Sequence, residues 1–584
     1  MSPRRLRLLL RLLALVVGVV NTGAAIAAES MGEDGINYLD QGDAWMRGDW
    51  GTAVNGTWSP LYPLILGLVM RLGRPSMTME FPLVHVVNFG VFVLALACFE
   101  FFWRQVTARY YAEVPVESHR PDRFPPWAFL VMGYGLFIWT TTSLIRLFAV
   151  TPDMLVAAFV FLGGGLMLRL LAGDPGRGMA AALGAALGAG YLAKAVMFPL
   201  GIVALLVTGI ALVRYGRPLR ALLPAVVAFA IVAGPFLVAL SVEAGRFTFS
   251  DVGRTSWLRH VLGAPYPHYE SGSPHVEGEP LHPIARSSTT PPVYRFDGAS
   301  GTTYPLAYDQ GYWYAGLGAR FHPVLQLQVI ALNLQRYFEL FFRVQGAMVG
   351  IGLVLLVLIA RGQQQPSEPV AWPLALVGLS AFAVYSLVYV EGRYVAPFLV
   401  LLWAALLLSV RLRQADGHGA WLHATGLAFS IALGMNIVAF HLDGFNALAR
   451  IAPVARAGPV SRTARPSARP SAVASALHAQ GLQRGDSIGV IGEAIAATWA
   501  RLARLRIVAD VNPEDVDDFW DGSADQQRAV LDYFAAAGVR AVVAHAPEES
   551  ALPPGWLAVG NTGWLVWFTA PGEGSPAVPA LIRR

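Results

Sequence analysis

The feature that most constrains this chain is a set of eleven apolar runs, each long enough to cross a lipid bilayer. They lie at roughly 6–28, 81–103, 127–147, 153–171, 178–194, 196–213, 219–241, 343–360, 371–390, 394–410 and 420–440. A hydrocarbon core of about 30 Å takes about 20 apolar residues in an α-helix. Backbone groups in lipid must be satisfied within the segment, so each run is expected to be helical. Composition agrees: 55% of the 584 residues are hydrophobic and only 14% are charged, against about 25% charged in soluble domains. The predicted fold class is therefore a polytopic α-helical membrane protein with about 11 transmembrane helices. The first run carries Arg4, Arg5, Arg7 and Arg11 at its start and Ala27-Ala28-Glu29 at its end, as in a secretory signal. It is read as an uncleaved span, and either way residue 29 emerges on the outer face. Cys98 is the single cysteine and lies in an apolar run, so no intramolecular disulfide is expected.

Sidedness turns on Pro60–Leu72, an apolar stretch of only about a dozen residues, too short to span. If it lies flat outside, the short loops assigned to the inner face hold Arg104, Arg109, Arg120, Arg123, Arg169, Arg177, Arg214, Arg217, Arg220, Arg361, Arg411 and Arg413. If it crosses, the inner face keeps only Arg71, Arg74, Arg146, Lys194 and Arg393. The positive-inside rule favours the flat helix. The expected arrangement is a multi-pass protein of the inner (cytoplasmic) membrane, amino terminus cytoplasmic and carboxyl terminus outside. The formal charge of +5 then belongs to orienting loops, and no nucleic-acid partner is expected.

Two large outer pieces follow within a membrane domain over 1–441, whose first outer loop covers about 29–80. One piece is a loop over about 242–325, rich in Gly, Pro, Tyr and His. The other is the tail, with a Pro/Ala/Arg/Ser linker over 453–475 and a small outer α/β domain over 476–584. There, apolar strands at Ser487–Ile491, Arg506–Val511 and Val539–Ala544 alternate with helical patterns at Ala494–Leu502 and Ala524–Ala537. Gly489-Val490-Ile491-Gly492 lacks the full dinucleotide fingerprint, so no such cofactor is expected.

Three features carry chemistry. The first outer loop holds Asp34 and Tyr38, then Asp40, Asp43 and Asp49. An acid at a membrane mouth suits a general base or a metal ligand, although outer loops are often acidic merely because they are solvated. Thr151-Pro152-Asp153 opens a span; Pro followed by an acid in the first turn is also an ordinary helix start, but acids where loop meets lipid are often functional. Lys194, in Gly190-Tyr191-Leu192-Ala193-Lys194, is the only lysine among 43 Lys and Arg residues. An ammonium is a compact point charge suited to a phosphate; the bland alternative is a snorkelling residue at a helix end.

Taken together, Asp34–Trp50 (DGINYLDQGDAWMRGDW), Ser59-Pro60-Leu61-Tyr62-Pro63, Thr151-Pro152-Asp153-Met154-Leu155, Gly190–Lys194 and Glu391-Gly392-Arg393-Tyr394 resemble the GT-C superfamily of membrane glycosyltransferases. The likeness is to the protein O-mannosyltransferase and aminoarabinose-transferase families and runs over most of residues 1–410. It implies transfer of a sugar from a polyprenyl-phosphate carrier, a membrane lipid, to an acceptor of unstated kind (glycan, lipid or protein) at the outer face. It implies Asp34 as general base, Asp153 orienting the base or acceptor, Lys194 on the carrier phosphate, Tyr38 at the substrate, and a bidentate contact from Arg254, Arg259 or Arg393. Many relatives carry Asp-Glu in the first loop, whereas Gly35 follows Asp34 here, so a divalent metal is left open. Competing readings are a transporter or flippase of lipid-linked cargo, for which no inverted repeat is visible, and a non-catalytic scaffold presenting the tail.

Overall fold

The structure is a computed structural model, and it describes residues 2–112, 123–173, 176–268, 273–296, 301–343, 346–362, 371–410, 418–451, 468–547 and 552–569. Each of the eleven apolar runs is a helix. Eight have at least 18 residues and the hydropathy to cross a bilayer, from Pro3–Ala28 to Gly419–His441. The other three are shorter: Arg177–Ala193, Gly346–Gly362 and Ala371–Ser386. The first helix is capped by Ser2, which accepts from the Arg5 amide, with Pro3 in the first turn. Its Leu8, Leu9, Leu12 and Val16 remain about half exposed, a face left for lipid.

Between the helices the core is aromatic. Phe99 packs on Trp103, Tyr134, Phe137 and Phe161 with ring centroids 4.9–5.8 Å apart. Close helix approach depends on small residues: a Cβ at Gly184 would sit 1.8 Å from the Ala225 carbonyl oxygen. The short helix Leu61–Gly73 is pressed on Glu33–Arg47 by a glycine pair. A Cβ at Gly67 would lie 2.4 Å from the Gly42 oxygen, and one at Gly42 would lie 2.7 Å from the Pro63 oxygen.

The tail forms a sheet that the outer loop completes. β1 (Ala285–Arg286) and β2 (Tyr294–Arg295) come from the loop; β3 (Ser487–Ile491), β4 (Arg506–Val511), β5 (Ala541–His545), β6 (Leu557–Ala558) and β7 (Trp564–Phe568) come from the tail. The order is β1-β2-β4-β3-β5-β7-β6. β3 runs parallel to β4 and β5, while β2 pairs antiparallel to β4 with Tyr294 opposite Asp510. The predicted strands at 487–491 and 506–511 form as expected, the third starts two residues later, and the helix Ala524–Ala536 has a Ser523/Gln526 capping box. Three details differ from the sequence expectation. The predicted helix Ala494–Leu502 is a 3₁₀ turn at Ala494–Ala496 followed by Thr498–Leu502. The last part of the predicted linker belongs to the helix Pro470–Ala479, because Val473, Ala474 and Leu477 are buried apolar side chains; residues 453–467 of that linker lie outside the described residues. The pairs β1–β2 and β6–β7 went unpredicted because two-residue strands carry no alternation.

The tail docks on one end of the helix bundle through buried charge. Glu29, ending the first helix, accepts from the Ser471 hydroxyl (2.7 Å) and amide (3.0 Å). Arg501 reaches Asp40 at 2.6 Å, Asp43 at 2.7 Å and Glu80 at 2.9 Å, and Arg504 reaches Glu80 at 2.6 Å. Asp510 joins His268 (2.6 Å) and Tyr304 (2.7 Å) of the loop. The end of the first helix and the start of Glu80–Tyr110 therefore touch the same domain. The intervening helix Leu61–Gly73 returns the chain to the face it left.

Candidate active site

Four helix ends converge on this same face. Glu33–Arg47 begins at Gly32, whose φ of 70° lies in the left-handed region that suits glycine, and it places Glu33 and Asp34 in its first turn. Asp153 is the first residue of Asp153–Ala172, as the Thr-Pro-Asp pattern predicted. Glu391 precedes Gly392–Ser409, which carries Arg393 and Tyr394 in its first turn. Lys194 follows Arg177–Ala193 in extended conformation, before the next helix starts at Met197. Three helix amino-terminal ends thus aim their partial positive charge at one place, where carboxylates and anions are favoured.

The charges interlock. Lys194 Nζ meets Asp153 Oδ1 at 2.5 Å. Arg393 Nη1 stands 3.8 Å from Asp153 Oδ2 and 3.8 Å from Asp34 Oδ2, and its Nε is paired with Glu391. Asp34 and Asp153, 119 positions apart in the sequence, therefore share one guanidinium. The Lys194 ammonium also sits 3.8 Å from the centroid of the Tyr394 ring, which stacks on Tyr385 at 5.1 Å. The two acids differ in access. The Asp153 side chain is 3% exposed, whereas that of Asp34 is 40% exposed at the mouth of the cluster. Crowding by protein around Asp34 pushes its carboxyl above the usual range, a rise opposed by Arg393 and Lys194. Asp34 is thus accessible at the mouth of the cluster with its carboxyl raised, which suits a base better than a permanent counter-ion.

The remaining predicted residues divide. Tyr38 is buried one turn from Asp34, edge-on to Trp58 (5.0 Å) and Tyr62 (5.2 Å), and burial drives its phenol pKa well up. Arg259 stacks on Tyr266 at 3.6 Å and points to Gln310 at 3.4 Å. Tyr266 feels the charges of Asp34 and Glu33, and Arg259 itself acts on Glu33, so Arg259 stands beside the charge cluster without an ion pair to its acids among the described residues. Arg254 does not join it: its guanidinium donates to the carbonyls of Tyr314 (2.8 Å) and Leu317 (2.7 Å) and braces the outer loop. Sequence reasoning passed over Glu391, Tyr394 and Tyr385 as site residues. The Glu391-Gly392-Arg393-Tyr394 motif was the available signal for the first two; nothing local marked Tyr385. Among the described residues no three His, Cys, Asp or Glu side chains group as a metal site requires. The carboxylates here alternate with cations instead.

The fold and the site define a class: a polytopic helical membrane protein with an acidic first loop, a cluster of interlocked charges where four helix ends meet, and an α/β domain docked on the same end of the bundle. Solved structures share this architecture. ArnT from Cupriavidus metallidurans bound to undecaprenyl phosphate aligns with a TM-score of 0.53 at 14% identity, over 96% of this chain and 97% of that one. Its apo form aligns at 0.51 and 14% over the same shares. At that identity the likeness establishes the fold. The Archaeoglobus fulgidus oligosaccharyltransferase in complex with Zn and sulfate aligns at 0.45 and 11%, over 91% of this chain and 68% of that one, too weakly to carry an argument. No family model and no curated protein sequence matches the chain.

Proposed function

We propose that this protein is a glycosyltransferase that moves a sugar from a polyprenyl-phosphate carrier to an acceptor at the outer membrane face. The observation that carries the reading is the convergence of Asp34, Asp153, Lys194 and Arg393 at four helix ends on the face where the tail docks. The shared fold with ArnT, crystallised with undecaprenyl phosphate, supports it. In this reading the Lys194 ammonium and the Arg393 guanidinium receive the carrier phosphate as negative charge grows on the leaving group. Arg393 stands 3.8 Å from both acids, beyond hydrogen-bond length, and so keeps donor capacity for a ligand. The accessible Asp34 removes the proton from the acceptor. Asp153, nearly inaccessible, positions the two cations and does not meet substrate. The outer-face orientation rests on the arginine bias of the opposite loops.

The test is incubation of purified protein in nanodiscs with radiolabelled polyprenyl-phosphate sugar and candidate acceptors. Transfer that disappears in Asp34→Asn, with insertion and folding intact, is the expected result. Translocation of label without transfer makes the protein a transporter; neither leaves the scaffold reading. Full transfer by Asp34→Asn removes the general-base role.

A further inference from the structure

A second charged cavity lies away from this cluster, at the opposite end of the helix that carries Asp34. Asp34 is in the first turn of Glu33–Arg47 and Arg47 is its last residue, so the two are separated by about 20 Å of helix at 1.5 Å per residue. There, between this helix, the end of Leu61–Gly73 and the docked tail, is a cavity of about 620 Å³. That volume is in the range of small-molecule sites. Its charge is unbalanced. Five arginines line it (Arg47, Arg71, Arg74, Arg484 and Arg504) against two acids, Asp43 and Glu80. Both acids are already engaged by Arg501 and Arg504 at 2.6–3.3 Å. Arg71 donates to the Met46 carbonyl, and Arg47 is loosely paired with Asp49 at 4.0 Å. Arg74 and Arg484 have no ion pair among the described residues.

The backbone adds a second sign. Arg74 caps Leu61–Gly73 in the left-handed region at φ 41°, where glycine is the usual choice. A long cation stands there at a conformational cost.

The neighbourhood indicates what kind of anion fits. The cavity wall carries Met46, Met70 and Met77 beside the arginines. On the same short helix Leu68 and Leu72 are 50% and 75% exposed, and Met79 just beyond is 54% exposed. A helix too short to span, with outward leucines and a cationic end, has the form of an element lying in the interface. An anion held here is next to acyl chains.

We propose that this cavity binds the phosphate of a membrane lipid, held by Arg74 and Arg484 with Arg47 and Arg71 at its rim, while the chains lie against Leu68 and Leu72. The site does not depend on the transfer reaction. Phosphate groups draw charge-assisted contacts from arginine, and the docked tail supplies one of the two central cations. The bound lipid would therefore join the tail to the membrane domain.

The test uses the full chain in detergent, with fluorescent phosphatidylglycerol as the probe, phosphatidylcholine as the comparison and inorganic phosphate as competitor. The variant is Arg74→Gln/Arg484→Gln; both side chains are exposed, so folding should survive. Arg528→Gln, an exposed arginine on the helix Ala524–Ala536 that does not line the cavity, is the control. Wild type and control are expected to bind phosphatidylglycerol in preference to phosphatidylcholine, and the double variant to bind it at least tenfold more weakly, with phosphatidylcholine binding and the thermal midpoint in lipid-free detergent unchanged. Equal phosphatidylglycerol affinity in the double variant overturns the site. Displacement of the lipid by inorganic phosphate at the lipid's own concentration overturns the lipid assignment and leaves a soluble-anion site.

Discussion

Arg501→Met removes the charge at the centre of the seam between tail and membrane domain while keeping most of the side-chain volume. Arg501 is 4% exposed and contacts three carboxylates, of which Asp40 and Glu80 are themselves 5% and 3% exposed. Removing one partner of a buried pair costs about 3–5 kcal/mol, because the partner's charge is stranded. Here the loss is partly covered. Glu80 and Asp43 retain Arg504, and Asp40 retains the Thr303 amide at 2.7 Å and its hydroxyl at 3.1 Å. Only Asp40 loses its sole cation, so the lower end, about 3 kcal/mol, is expected. For a domain of the tail's size that corresponds to a fall in thermal midpoint of roughly 10 °C or more. The assay is thermal unfolding in detergent of the wild type, Arg501→Met, Asp40→Asn and the double variant. Neutralising Asp40 in the Arg501→Met background should recover part of the loss, since it removes the stranded charge. Strictly additive losses, or an Arg501→Met effect below about 1 kcal/mol, would refute the reasoning.

Lys194→Met should insert normally and lose affinity for polyprenyl phosphate, and Lys194→Arg should be impaired because a planar fork misplaces the charge; unchanged donor affinity in Lys194→Met, measured on purified protein in nanodiscs, returns Lys194 to a helix-end marker. The Asp309 carboxyl, half-buried and crowded by protein in the outer loop, is raised to about 6. An acid raised on folding favours the fold below its ordinary pKa, and that contribution is lost as pH climbs through about 6. Asp309→Asn, which keeps an acceptor for the Tyr312 amide, should therefore raise the thermal midpoint at pH 8 and not at pH 4.5; a pH-independent effect would exclude titration of Asp309 as its cause. A phosphatase fused at the carboxyl terminus should be active and one in the 104–126 loop inactive; the reverse would turn the whole bundle over.

Much of this was legible from local pattern. Apolar length marked the eight helices that are long enough to span, because in lipid a spanning backbone satisfies its own hydrogen bonds and leaves a long uninterrupted signal; the runs at 178–194, 343–360 and 371–390 form shorter helices. Thr151-Pro152-Asp153 marked a helix start, and the single lysine among arginines marked Lys194. The pairing of Lys194 with Asp153 was not legible, since it joins the ends of two separate helices. Arg254 illustrates the limit from the other side: as a residue type it fits a phosphate, but its position in the loop gives it two backbone carbonyls instead.

The sequence by itself determined that the chain carries many helices apolar enough to cross a membrane, and it singled out Asp34, Asp153 and the lone Lys194. These follow from transfer free energies and helical geometry, which act along the chain. Only the tertiary structure decided that one guanidinium, Arg393, stands between Asp34 and Asp153, that two strands of the outer loop complete the tail's sheet, and that Arg501 draws Asp40, Asp43 and Glu80 to one point. Those contacts join residues up to 461 positions apart. Their energies depend on burial and direction, which exist only once the helices have packed.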